Sequence, residues 1–135
     1  MRMVHTENSS HIDESRRLRS SFWLAAGITA INALTSAGFA TAGLVSVSAS
    51  ADQPAKVFAM YAAARSIPLA VTVLAQVALR NARGLATLAW VMTLVQACDA
   101  FVGVAQQNVG KTAGPAVFAV LTALAARSLW SGSGR

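Results

Sequence analysis

Three ionisable side chains lie within or next to long apolar segments of this sequence: Arg65, Asp99 and Lys111. A charge at the centre of a membrane helix costs about 2.5–3.5 kcal/mol on insertion scales, so each should face protein, water or a bound molecule. Arg65 and Asp99 lie about 12 Å from the same end of two adjacent apolar segments, at the rise of an α-helix. Their equal depth predicts a direct ion pair.

Such a cluster is suited to acid–base or electrostatic chemistry. Asp99 could act as a general acid, and Arg65 could hold the carboxylate or bind an anionic substrate group, so these two are the candidate catalytic residues. The candidate ligand-binding residues are polar side chains expected near them: Gln96, Tyr61, Asn32 and Lys111. Each has an alternative role. The ion pair could have the purely structural role of fixing helix register. Gln96 and Asn32 could form interhelical hydrogen bonds, and Tyr61 could anchor its helix at the membrane interface.

Polar side chains recur at helical spacing, in steps of three and four, along three of the apolar segments. The positions are Thr29, Asn32 and Ser36 in the first, Tyr61, Arg65, Pro68, Thr72 and Gln76 in the second, and Met92, Gln96, Asp99, Gly103 and Gln106 in the third. These faces predict a polar interior that opens toward the outer side, with Gln107 and Lys111 at its mouth. Pro68 lacks a backbone N–H and is expected to kink the second helix.

The composition indicates the elements that must position these residues. Of 135 residues, 55% are apolar and 12% are charged, about half the charged share of a soluble domain, and the mean hydropathy is +0.52. These values exclude a disordered chain, an ordinary nucleic-acid-binding protein and a large soluble enzyme. Four apolar runs, at about 22–49, 57–79, 84–106 and 113–130, have the roughly 20 residues that a bilayer-spanning helix needs. The fold class is therefore all-α, a four-helix transmembrane bundle.

The domain organisation follows from these runs. Residues 1–20 form a polar N-terminal tail, residues 21–131 the transmembrane domain, and residues 132–135 a flexible C-terminus. A weak twin-arginine pattern at Arg16 and Arg17 would be an alternative, a cleaved signal, but the apolar run that follows is about twice as long as a signal needs.

The positions of the basic residues predict the membrane topology. In a soluble protein a net charge of +6 would suggest nucleic-acid binding, but here the basic residues lie between apolar runs. Those expected on one side of the membrane are Arg2, Arg16, Arg17, Arg19, Arg80, Arg83, Arg127 and Arg135. The opposite loops carry only Lys56 and Lys111. By the positive-inside rule both termini are cytoplasmic, in a multi-pass protein of the cytoplasmic membrane.

Several kinds of chemistry have no sequence support. The one cysteine, Cys98, lies in an apolar run, and the two histidines, His5 and His11, lie in the polar tail, so no metal site is expected. No phosphate-binding loop, dinucleotide fingerprint or zinc-protease motif occurs. The sequence therefore predicts no cofactor, and it leaves open whether the protein is an enzyme.

Residues 60–130 carry a family resemblance through three short segments. They are Tyr61-Ala-Ala-Ala-Arg65-Ser66-Ile67-Pro68, Gln96-Ala-Cys-Asp99-Ala-Phe-Val-Gly103 and Gly110-Lys111-Thr-Ala-Gly114-Pro115. The sequence resembles a family of small, uncharacterised four-helix membrane proteins of bacteria, near the broad DoxX-like group. The resemblance implies four transmembrane helices and no established activity, substrate or catalytic residue.

Three functions fit these observations. The first is an intramembrane site that binds a small lipophilic or amphipathic molecule, with or without acid–base isomerisation or cyclisation. The second is an assembly subunit that packs against another membrane protein through faces rich in Ala and Gly, its ion pair being purely structural. The third is a minimal proton-coupled exporter that works as a homodimer. The expected partners are the bilayer, a small lipophilic ligand and a second copy of the chain, with no nucleic acid.

Overall fold

The computed structural model describes residues 4–48 and 53–132, with side chains described for residues 19–47 and 53–131. Four helices make up this part of the chain: α1 (Val4–Ser48), α2 (Gln53–Ala78), α3 (Ala82–Ala105) and α4 (Val109–Gly132). All four contain segments long and apolar enough to cross a membrane, at Arg19–Val47, Gln53–Ala78, Ala82–Ala105 and Val109–Ser131. The prediction of an all-α, four-helix, multi-pass membrane protein is confirmed.

All four helices begin earlier than the sequence predicts, α3 by only two residues. The first helix already starts at Val4, so the polar segment predicted as a separate tail continues α1, and no Pro or Gly before Gly27 interrupts it. In α2, Pro54 lies in the first turn, where its missing N–H costs nothing. In α4, Pro115 lies within the helix and not in its first turn. The predicted flexible C-terminus falls largely on residues 133–135, outside the described residues.

The two turns at the ends of α3 are built in the same way. In the α2–α3 turn, Arg80 adopts a left-handed conformation (φ 51°), and the N–H of Asn81 donates to the carbonyl of Gln76 at 3.0 Å. In the α3–α4 turn, Gln107 is left-handed (φ 53°), and the N–H of Asn108 donates to the carbonyl of Gly103 at 3.1 Å. Both are Schellman caps, which satisfy the last carbonyls of one helix before the next begins.

Each of these asparagines also caps the following helix. The side-chain oxygen of Asn81 accepts from the N–H of Gly84, and that of Asn108 accepts from the N–H of Lys111, each at 3.0 Å. A capping Asn satisfies a backbone donor that has no partner inside the helix. Because Asn108 supplies this cap, α4 begins at Val109, several residues before the predicted start.

The helices pack as two hairpins. The α3–α4 contact is the most extensive, the α1–α2 contact is next, and α1 also packs along α4. In contrast, α2 and α3 touch little, although a three-residue turn joins them. We call the end of the bundle with the α2–α3 turn the closed end, and the end with the α3–α4 turn the cavity end.

Small side chains hold the bundle together. Among the described residues, nine of the 13 buried apolar side chains are alanine. In lipid, the burial of apolar surface contributes little free energy to helix association. Helices instead associate where small residues let their backbones approach closely and form van der Waals contacts. The larger apolar side chains remain outside; Phe39, Phe58 and Phe101, for example, are more than 70% exposed, as expected for a surface in contact with lipid.

Candidate functional site

A cavity of about 590 Å³ lies between the four helices in the half of the bundle nearer the cavity end. This volume is within the range of roughly 300–1,000 Å³ that small-molecule sites occupy. The lining contains all three charged residues singled out in the sequence, Arg65, Asp99 and Lys111. Most of the other lining residues are apolar or small.

The Arg65–Asp99 ion pair is present and faces this cavity. Arg65 Nη2 donates to both carboxylate oxygens of Asp99 at 3.2 Å. The two side chains are 48% and 37% exposed, so the pair is not sealed between helices. It joins α2 to α3, the two neighbouring helices that otherwise touch little. Each carboxylate oxygen retains a lone pair that a bound molecule could use.

Lys111 lies near the start of α4, toward the mouth of the cavity. Its ammonium donates to Gln106 Oε1 at 3.0 Å, and both residues line the cavity. Gln106 thus occupies the place predicted for Gln107, because Gln107 is the left-handed residue of the turn and does not line the cavity. A cation in the first turn of a helix faces the positive end of the helix dipole, which is locally unfavourable.

Gly103 sets the position of Lys111. A Cβ on Gly103 would lie 2.6 Å from the backbone carbon and oxygen of Lys111, so only glycine permits this approach of α3 and α4. Pro115 has no N–H to offer the Lys111 carbonyl, which therefore lacks its usual intrahelical donor. The glycine contact thus fixes the height of Lys111 above Asp99.

A hydrogen-bonded network forms the floor of the cavity. Gln96 Nε2 donates to Asn32 Oδ1 and, at 3.0 Å, to Ser36 Oγ. Asn32 Nδ2 donates to Thr122 Oγ1 at 2.8 Å, and the Thr122 hydroxyl donates to the carbonyl of Phe118. Asn32 and Thr122 are fully buried. The network links α1, α3 and α4 and directs Gln96 toward the cavity.

Two nearly buried polar groups in the lining have no partner. Ser66 is 6% exposed, and its hydroxyl makes no hydrogen bond within the described residues. Gln96 is 5% exposed, and no donor in that same part of the chain reaches its Oε1. Buried polar groups normally have hydrogen-bond partners. Both groups are thus available to a molecule in the cavity.

The sequence-predicted faces differ in how well they match the lining. All five residues of the α3 face line the cavity: Met92, Gln96, Asp99, Gly103 and Gln106. Of the α2 face only Arg65 does. Tyr61 and Thr72 are exposed outside the cavity, and Gln76 lies near Gly84 at the closed end. Two of the predicted ligand-binding residues do not line the cavity. Asn32 on α1 belongs to the hydrogen-bonded floor, and Tyr61 on α2 lies outside the lining.

Sequence analysis missed several residues of the site. Ser66 is adjacent to Arg65 in the chain, one step from the predicted polar face, and Thr122 interrupts the apolar run of α4. Both carried a detectable signal, a hydroxyl in a membrane segment. Phe39, Gly114 and Phe118 also line the cavity. Their residue types are common throughout the four helices, so only the assembled bundle distinguishes them.

Within the part of the chain that the structure describes, no three His, Cys, Asp or Glu residues group as metal ligands. In comparisons with protein-family models, curated proteins and solved structures, nothing matches this chain. The resemblance to small DoxX-like membrane proteins therefore stays a prediction. What the geometry defines is a class: a four-helix membrane protein with a charged, half-open intramembrane cavity.

Proposed function

We propose that this protein binds a small lipophilic or amphipathic molecule in the cavity between its four helices. One observation carries the proposal: the Arg65–Asp99 pair lines a cavity of about 590 Å³ instead of being packed between helices. A charged pair at membrane depth is costly, and a pair that only fixed helix register would be expected to exclude water and other molecules.

The unpartnered groups support binding over a purely structural role. Ser66 and Gln96 Oε1 are withdrawn from the surface yet available in the cavity. A ligand hydroxyl or carbonyl could satisfy them. An assembly subunit is supported less, because the exposed apolar side chains are those that lipid itself would cover. An exporter of cations is also supported less, because its substrate would meet two cations, Arg65 and Lys111.

Asp99 is the group that could add chemistry to binding. Its carboxylate is within the cavity, and Arg65 orients it through two hydrogen bonds. A proton transfer to or from a bound molecule, as in an isomerisation or a cyclisation, would use Asp99 as the acid or base. Arg65 would position Asp99 and the ligand.

We also propose that the protein lies in the cytoplasmic membrane with both termini in the cytoplasm. The arginines at the closed end, among them Arg19, Arg80 and Arg127, support this orientation through the positive-inside rule. The cavity end would then face the outer side of the membrane.

Native mass spectrometry of the protein, released gently from its own membrane, tests the binding proposal. Gly114→Leu should reduce the retained ligand, because Gly114 lines the cavity and a Cβ there meets only open space. Gly38→Leu is the matched control: it makes the same change in another helix, where a Cβ also meets open space but no cavity lies.

A small molecule retained by the wild type and Gly38→Leu, and lost from folded Gly114→Leu, would support the proposal. If the wild-type protein carries only annular lipid that both variants retain equally, the cavity is not a binding site. Far-ultraviolet circular dichroism establishes that each variant is folded.

A further inference from the structure

The charges that line the cavity do not balance. Arg65 and Lys111 are cations and Asp99 is the one carboxylate in the lining. Asp99 already accepts two hydrogen bonds from Arg65 Nη2, whereas Lys111 donates to the neutral amide oxygen of Gln106. Among the described residues, Lys111 has no carboxylate partner. The cavity thus carries one uncompensated positive charge.

From this imbalance we propose that the ligand is an amphiphile with one negatively charged group, which Lys111 and Arg65 hold together. The proposal rests on the binding function proposed above and names its substrate class. The negative group is a carboxylate or a chemically similar anion, and the rest of the molecule is apolar.

The heights of the two cations fit one shared anion. The backbone of Lys111 contacts α3 at Gly103, and Arg65 contacts α3 at Asp99. These positions are one helical turn apart, roughly 6 Å along the axis. Both cationic side chains are long and flexible, so an anionic group between these levels can accept hydrogen bonds from both. Arg65 has donors to spare, since only its Nη2 is used by Asp99.

The start of α4 adds to the preference for an anion. Lys111 lies in its first turn, where the helix dipole contributes further positive potential. Among the described residues, no acidic side chain forms an ion pair with Lys111. A bound anion would remove this local repulsion, while a bound cation would increase it. A bound neutral molecule would leave the repulsion unchanged, so it is less unfavourable than a cation and less favourable than an anion.

Below the charged level the cavity is suited to an apolar chain. Leu69, Val95 and Phe118 line it near the level of Gln96. At this depth the available polar groups include Ser66 and Gln96 Oε1, which could bind a hydroxyl on the apolar chain of the ligand. The anionic end would therefore face the cavity end, and the apolar end would point toward the floor.

Photocrosslinking in nanodiscs of phosphatidylcholine can test this orientation and charge preference. The probes are dodecanoate, dodecylamine and dodecanol, each with a diazirine near the end of its chain, so they differ only in the head group. Peptide mass spectrometry then locates the adducts. We expect dodecanoate to label α2 near Leu69 or α4 near Phe118, and to do so at least about fivefold more than dodecylamine, the size of effect that a hydrogen bond to a charged group supports.

Three charge variants make the test specific. Lys111→Gln and Arg65→Gln should each lower dodecanoate labelling about fivefold or more, whereas Lys56→Gln, a cation of α2 outside the lining, should leave it unchanged. Asp99→Asn should raise dodecanoate labelling, because it frees Arg65 and removes the competing carboxylate. A purely structural ion pair predicts no such increase.

The two proposals fail in different ways. If all three probes label the cavity equally and Gly114→Leu abolishes the labelling, the binding function stands and the preference for an anion is wrong. If dodecylamine is preferred, the anion proposal is likewise wrong. If no probe labels cavity residues in folded protein, both proposals are overturned.

Discussion

The two halves of this bundle use the same four helices and the same kind of turn, yet one half is packed and the other is open. At the closed end, Leu85, Ala86 and Val73 are completely buried. At the cavity end, Asp99, Gly103 and Gln106 continue the same face of α3 and line a cavity. The turn geometry is therefore not what decides whether neighbouring helices close on one another.

Side-chain size and charge account for the difference. Alanines at the closed end let the backbones approach, which is how helices associate in lipid. At the cavity end, α3 approaches α4 through Gly103, but Arg65 and Asp99 stand between α2 and α3. The long Arg65 side chain and the carboxylate it holds keep α2 and α3 apart at this level, and no apolar side chain of the described residues fills the space. The contrast suggests four ways to test it.

The largest effect is expected at Gly103. Gly103→Ala should destabilise the protein by about 2–3 kcal/mol, because its Cβ would overlap the backbone of Lys111, which cannot move independently of α4. Unfolding of the detergent-solubilised protein, followed by circular dichroism, measures the change.

Two other glycines serve as controls for that experiment. At the closed end, a Cβ on Gly84 would meet the ends of the Gln76 and Asn81 side chains and no backbone atom. Both side chains can shift, although Asn81 is the cap of α3, so Gly84→Ala should cost about 1 kcal/mol, the size of a weakened cap. Gly114→Ala should have an effect within about 0.5 kcal/mol, since open space surrounds it. Equal costs at Gly103 and Gly114 would contradict the close approach of α3 and α4.

The next effect concerns the polar floor that separates the two halves. Asn32→Leu should destabilise the protein by about 2 kcal/mol, because it removes a shared partner and leaves Gln96 Nε2 and Thr122 with fewer hydrogen bonds. Thr72→Val is the control, because the Thr72 hydroxyl bonds only to the carbonyl of Pro68 in its own helix and is exposed. If Asn32→Leu lowers stability no more than Thr72→Val does, the hydrogen-bonded network contributes little to stability.

A stabilising change is expected at the closed end. Gln76 Oε1 is buried without a hydrogen-bond partner among the described residues. Gln76→Met keeps the length of the side chain and removes this unsatisfied acceptor, so stability should rise by about 1 kcal/mol. The same unfolding assay measures it. A loss of stability would show that Gln76 makes a polar contact through water or lipid.

The smallest effect is expected at the ion pair. Asp99→Asn should change stability by less than about 1 kcal/mol, because the pair is exposed to the cavity and such pairs contribute little. A sealed pair would instead lose about 3–5 kcal/mol when one partner is removed. A loss in that higher range would favour the structural interpretation over the binding site.

The α3 face was predictable because polar residues are rare in an apolar helix, and their spacing of three and four survives any packing. The Arg65–Asp99 pair was predictable because antiparallel helices of known rise place equal depths side by side. The α2 face was not, since Tyr61, Pro68 and Thr72 are tolerated at the helix surface, and nothing in their types distinguishes that surface from the interior.

Composition and segment length by themselves determined four membrane-spanning helices, because an apolar helix of about 20 residues crosses a bilayer with its backbone hydrogen bonds satisfied within the segment. Charge placement identified the polar centre. The tertiary structure decided which helices close together, where the cavity lies and that Ser66, and not Tyr61, faces it. These features depend on the rotation of each helix about its axis and on backbone contacts such as that of Gly103, which arise only when neighbouring helices pack.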